Sequence, residues 1–142
     1  MKYYIQYIAI LILCFFPLSV VSQTIEFKIS DCIVYINEEI NLEETRSTRN
    51  RCKQEDVLIT FYPDTDAIEL ELDMNELKDR ILRLQKDSFG NYSTILELDD
   101  LNINIDLKLN RLFGYIRGGK LSLEGKNYKE NHMSVMFEFE RK

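Results

Sequence analysis

The sequence contains no tryptophan, a single histidine, two prolines and only five glycines among its 142 residues. The lone histidine, His132, has no recognisable partner for nucleophilic catalysis. The absence of tryptophan disfavours carbohydrate binding by ring stacking. The only glycine pair, in Arg117-Gly118-Gly119-Lys120, lacks the spacing of a phosphate-binding loop. We therefore expect no enzyme activity, no resident metal ion and no cofactor.

Basic residues are also scarce relative to acidic ones. Eighteen Lys and Arg residues stand against 24 Asp and Glu residues, which gives a formal net charge of −6. Phosphate backbones require a basic surface, so we do not expect a nucleic-acid partner. The same argument weakens binding to anionic membranes. An acidic surface of this kind is typical of a soluble protein.

The one long apolar run lies at the start of the chain. Lys2 precedes an apolar stretch over residues 7–16, and small or β-branched residues follow just before Gln23. This order predicts a secretory signal peptide over residues 1–22 that is removed from the mature protein. Its removal would leave a single exported domain over residues 23–142, with 17 basic and 24 acidic residues.

Two other interpretations of this stretch fit less well. A membrane anchor needs about 20 apolar residues, whereas the stretch over residues 7–21 is shorter and contains Pro17. Lipid attachment at Cys14 would require a small residue where Leu13 stands. We therefore expect a secreted or periplasmic protein without a stable membrane span.

Removal of the signal would leave two cysteines, Cys32 and Cys52. In an exported protein an even number of cysteines predicts a disulfide. The bond would close a loop of about 20 residues and add roughly 3 kcal/mol to stability. A metal pair or a redox pair fits less well, because the two residues do not form a CxxC motif.

Alternating apolar and polar residues dominate the rest of the chain. Residues 101–109 alternate without a break, and residues 57–62 and 68–73 flank a proline- and aspartate-rich turn. Period-two alternation is the pattern of half-buried strands. A tight turn is predicted at Gly118-Gly119, where glycine permits positive φ, and a short helix near residues 75–79.

The pattern gives about nine or ten strands joined by short connections, which favours antiparallel pairing. Each strand has one apolar face, so the sheet must close on itself or pack on a second sheet. The predicted fold class is therefore all-β and mainly antiparallel. A small meander barrel and a two-sheet sandwich both remain open, each with room for one short helix.

The segment over residues 37–54 is polar and highly charged, and it is predicted to be a long surface loop with at most one helical turn. Long loops inside compact domains often carry function. Its cations therefore form a candidate partner surface, comprising Arg46, Arg49, Arg51 and Lys53. The alternative is a solvated loop that a disulfide holds in place.

Two classes of function remain at this stage. The first is a non-catalytic exported binding module that acts on another envelope or extracellular protein. The second is a small lipocalin-like barrel that carries an apolar ligand, because barrels of eight strands can hold one small molecule. A hydrolase would need carboxylates facing inward, whereas the alternation places them outward. They are Glu69, Glu71, Asp73, Glu97, Asp106, Glu138 and Glu140.

Overall fold

A computed structural model describes residues 21–74, 77–99, 101–126 and 129–142. Most of the predicted signal peptide lies outside these residues. Within the described ranges the chain forms nine strands and one helix. They are β1 (Gln23–Ile36), β2 (Glu39–Ile40), α1 (Leu42–Cys52), β3 (Asp56–Phe61), β4 (Ala67–Leu72), β5 (Ile81–Lys86), β6 (Tyr92–Leu98), β7 (Leu101–Leu112), β8 (Tyr115–Lys126) and β9 (His132–Arg141).

Eight of the strands close into a barrel. Strands β3 to β9 follow one another as a meander, each antiparallel to the next, and β1 pairs with both β3 and β9. The short strand β2 pairs only with the end of β1. The prediction of an all-β, mainly antiparallel fold is confirmed. Of the two alternatives that the sequence leaves open, the structure forms the barrel and not the sandwich. A barrel also removes the free sheet edges that a sandwich would keep.

Strand β1 runs continuously from Gln23 to Ile36, although the polar pair Ser30-Asp31 interrupts its alternating pattern. The pairing with β9 shifts between Ile29 and Asp31, so one extra residue is accommodated as a β-bulge. A bulge breaks the alternation of faces. It therefore brings both Ile29 and Cys32 to the interior, although three positions separate them in sequence.

The interior of the barrel is filled by large side chains. Phe27 and Phe139 meet edge to face, with ring centroids 5.1 Å apart and planes inclined by 72°. Aromatic pairs favour this geometry. The other largest buried side chains, each less than 2% exposed, are Ile29, Ile59, Ile68, Leu70, Leu84, Ile105, Leu107, Leu121, Val34 and Val57.

The predicted turn at Gly118-Gly119 is wrong. Both glycines lie inside β8, and the turn between β7 and β8 falls at Phe113-Gly114. The glycines are needed for close packing instead. A Cβ on Gly118 would lie 2.2 Å from the carbonyl oxygen of Phe139, and one on Gly119 would lie 2.4 Å from that of Lys108.

The single helix of the described residues is not where the sequence places it. Residues 75 and 76 lie outside the described ranges, and the residues after them, through Asp79, form a turn. Backbone N–H groups of Leu77 and Arg80 donate to carbonyl oxygens three residues earlier, as in isolated turns. Leu77 is buried, so the apolar positions here serve the core of the barrel rather than one face of a helix.

Candidate functional site

The charged segment predicted as a loop forms the three-turn helix α1. Asn41 caps its start by accepting a hydrogen bond from the backbone N–H of Glu44, at 2.9 Å. Acidic residues occupy the first turn and basic residues the last, which complements the helix dipole. The spacing of apolar residues does not predict this helix, because its buried positions are Thr45 and Thr48.

Helix α1 covers the part of β1 that β3 leaves unpaired. Pairing between β1 and β3 ends at Lys28 and Asp56. Beyond that point the Thr45 hydroxyl accepts a hydrogen bond from the N–H of Val34 at 2.9 Å and lies 3.4 Å from its carbonyl oxygen. The helix thus satisfies backbone groups that a neighbouring strand would otherwise pair.

Arg49 is directed back toward the barrel. Its Nε lies 2.5 Å from Oδ1 of Asp31, and its Nη2 donates to the carbonyl oxygen of Cys32 at 3.3 Å. Side chains of both ion-pair partners are close to half exposed, so the pair itself adds little stability. Arg49 therefore links the helix to β1, and its half-exposed guanidinium is only partly available to a partner.

The other three predicted cations remain on the surface. Arg46, Arg51 and Lys53 are exposed. None of them forms an ion pair with any residue that the structure describes. The structure thus divides the predicted surface into one positioning arginine and three available cations on and just after α1.

Cys32 and Cys52 are free thiols in this structure. Both contribute to the same apolar cluster, Cys32 fully and Cys52 partly buried. Burial raises the pKa of the Cys32 thiol above its ordinary value, and the neighbouring Cys52 raises it further. Burial likewise raises the pKa of Cys52. Both sulfurs therefore remain protonated at neutral pH, which makes them poor nucleophiles.

The carboxylates predicted to face outward do so, since most of them are exposed and none is buried. Glu69, which is half buried, accepts a hydrogen bond from the Tyr62 hydroxyl at 2.7 Å. This hydrogen bond raises the pKa of Tyr62, because it favours the protonated phenol.

His132 has one close acidic neighbour. Its Nε2 lies 2.6 Å from Oε1 of Glu124, and both side chains are close to half exposed. They line an open cavity of about 400 Å³ together with Asn102 and Asn104. No group of three His, Cys, Asp or Glu side chains suited to a metal ion occurs among the described residues.

The interior is less well covered at the barrel end that holds the β6–β7 and β8–β9 connections. Inward-facing residues there are only partly buried, namely Leu96, Ile103, Leu123 and Val135. Strand β5 pairs with β6 at only two positions, so β6 continues from Thr94 without a β5 partner. An apolar surface is thus accessible at this end.

Exposed aromatic residues mark the opposite end, where the chain enters β1 and leaves β9. Phe89 in the β5–β6 turn is 88% exposed and Phe113 in the β7–β8 turn is 92% exposed. The sequence predicts Phe89 to lie in a turn, where an exposed ring could serve an interface, but it indicates no function for Phe113. Each of the two phenylalanines is followed by a glycine, at residues 89–90 and 113–114. This shared Phe-Gly pair is the sequence feature that marks both of them as turn residues.

Comparison with protein-family models, with curated proteins and with solved structures finds no significant match for this chain. Among the described residues, no helix has the length and apolar character needed to cross a bilayer.

Proposed function

We propose that the protein is a non-catalytic binding module of the exported compartment, secreted or periplasmic, which acts on another envelope or extracellular protein. The observation that carries this proposal is the set of three cations, Arg46, Arg51 and Lys53, that α1 and its C-terminal cap present without ion-pair partners among the described residues. A folded helix displays them at fixed spacing, which lowers the entropic cost of binding.

The chemistry of these cations indicates the kind of partner. Lys and Arg recognise carboxylates, and complementary charge speeds association and selects the partner. An acidic surface on a second exported protein is the matching class. Arg49 supports this function indirectly, because its contacts with Asp31 and Cys32 fix the orientation of α1.

A capture experiment tests the proposal. The immobilised protein is exposed to an envelope or extracellular extract of its host, and captured proteins are identified by mass. The variant Arg46→Ala, Arg51→Ala, Lys53→Ala should lose the specific partner, while Arg80→Ala, Arg83→Ala, Lys86→Ala removes the same charge elsewhere and should keep it. Capture of the same proteins by the α1 variant would reject α1 as the binding surface.

The second candidate function is a lipocalin-like carrier of an apolar ligand. It is favoured by the accessible apolar residues Leu96, Ile103, Leu123 and Val135 and by the short β5–β6 pairing. It is disfavoured by the filled interior around Phe27 and Phe139. Displacement of a fluorescent fatty acid distinguishes the two functions, because only a carrier binds the probe in a saturable way.

The exported compartment also bears on the cysteines. In an oxidising environment we propose that Cys32 and Cys52 form the disulfide, through exchange with a protein disulfide donor that is reduced in turn. The bond would join the C-terminal end of α1 to β1. It would reinforce the attachment that Thr45 and Arg49 already provide.

A further inference from the structure

The β7–β8 hairpin extends beyond the barrel wall. Pairing of β7 with β6 ends at Leu107, and pairing of β8 with β9 begins at Gly118. Residues 109–117 therefore pair with no strand outside the hairpin and form a two-stranded projection, here called the finger, whose base still packs on the core through Leu109 and Ile116. A pairing shift after Asn110 leaves Arg117 as the extra residue of a bulge, and bulges increase the local twist of a ribbon.

The tip of the finger is apolar, and Phe113 within it has an unfavourable backbone conformation. Phe113 has φ = 50° and Gly114 has φ = 81°, in a two-residue turn between the paired residues Leu112 and Tyr115. Such turns favour Asn-Gly or Asp-Gly, and a bulky residue at positive φ is an outlier. The exposed fraction is 92% for Phe113, 70% for Tyr115 and 43% for Leu112. Strain and exposure together suggest a functional constraint on the tip.

The finger carries two cations, Arg111 and Arg117, and no acidic residue, although the protein as a whole is acidic. Residues 107–123 contain four cations and no Asp or Glu, which leaves a net charge of −10 on the other 125 residues. Lys120 pairs with Glu138 at 3.0 Å. Lys108, Arg111 and Arg117 are without an ion pair to the described part of the chain. Charge is thus segregated toward this hairpin.

An open cleft of about 510 Å³ lies at the base of the finger. Arg117 and Arg141 line it, together with Gly118 and Gly119. The carboxylates of Glu138 and Glu140 also border this cleft. The cleft is large enough for a phosphate group to approach Arg117 and Arg141 at the base of the finger.

We propose that the finger docks on an anionic phospholipid bilayer, with Phe113, Leu112 and Tyr115 in the interfacial layer and Arg111 and Arg117 on lipid phosphates. Aromatic residues favour the membrane interface, and basic residues near it are attracted to anionic lipids. A convex tip needs no matching pocket in a fluid bilayer. The acidic remainder of the barrel is repelled from the same surface and orients the molecule finger first.

Flotation with vesicles tests this proposal, which is independent of the proposed function. The wild-type protein should bind vesicles of phosphatidylcholine with phosphatidylglycerol, bind phosphatidylcholine alone far less, and dissociate at high salt. Arg111→Gln with Arg117→Gln should lower binding to the anionic vesicles about 25-fold, at roughly fivefold per charge.

The variant Phe113→Asn separates binding from folding. It creates the Asn-Gly turn that two-residue hairpins prefer, so stability should be unchanged or higher. Binding to anionic vesicles should nevertheless fall about tenfold, because the ring is lost. Leu42→Ser removes an exposed apolar side chain at the other end of the barrel and should bind as wild type does. Equal binding of wild type to both vesicle types, undiminished binding by Phe113→Asn, or finger-dependent binding to an acidic protein with none to vesicles would overturn the proposal.

Discussion

At the residue scale, close packing explains why glycine occupies positions 118 and 119, which the sequence alone predicts to be a turn. Gly118-Gly119 has the composition of a turn, yet both residues lie within a strand because neighbouring backbone leaves no room for a side chain. A glycine pair in a sequence indicates that the backbone can adopt turn conformations. It does not indicate how closely neighbouring strands approach the glycines. The actual turn carries Phe113, a residue that turn preferences disfavour.

Gly119→Ala should destabilise the fold by about 1–3 kcal/mol, the usual cost of overpacking a well-packed core. Its Cβ would meet the Lys108 carbonyl oxygen at 2.4 Å and the Phe139 ring at 2.7 Å. The control Gly125→Ala should cost less, because its nearest neighbour is the Asn102 carbonyl oxygen at 3.1 Å. Urea unfolding measures both, and equal midpoints would contradict the packing argument.

At the element scale, α1 is a helix that tertiary contacts stabilise and that the spacing of apolar residues does not predict. Its buried face consists of threonines and a partly buried cysteine rather than aliphatic residues, so a search for apolar spacing finds nothing. The Asn41 cap and the charge order were legible signals. The strands, by contrast, were predictable because each of them packs one apolar face against a common core.

Thr45→Val tests the attachment of α1 to β1. The change keeps the shape of the side chain but leaves the N–H of Val34 without its partner at 2.9 Å. An unsatisfied buried donor costs about 1–3 kcal/mol. Thr48→Val is the matched control, since Thr48 is similarly buried on the same helix. We expect a lower urea midpoint for Thr45→Val only, and the reverse order would refute the role of this hydrogen bond.

The cysteine pair gives a second prediction for this element. Because burial raises the pKa of both thiols, alkylation of the reduced native protein should be slow at neutral pH and faster as pH rises toward the thiolate range. Oxidised protein should resist urea more than reduced protein, by roughly 3 kcal/mol for this loop length. Rapid alkylation at neutral pH, or equal stability of the two forms, would contradict these expectations.

At the scale of the whole molecule, closure of the barrel follows from pairing between its first and last strands, which no local pattern specifies. Alternation over residues 101–109 predicts a strand, but it does not say that β9 returns to β1. The choice between barrel and sandwich therefore required the structure. The candidate surfaces could not be predicted from local patterns either, because the exposure of α1 and of the finger depends on which elements pack next to them.

We propose that this barrel acts through its surface and not by enclosing a ligand. The most direct test is the mass of the protein purified from its host, measured under native and then denaturing conditions. We predict a native mass equal to bare chains, alone or with a protein partner. Additional small-molecule mass that disappears on denaturation would contradict this claim and identify the protein as a carrier.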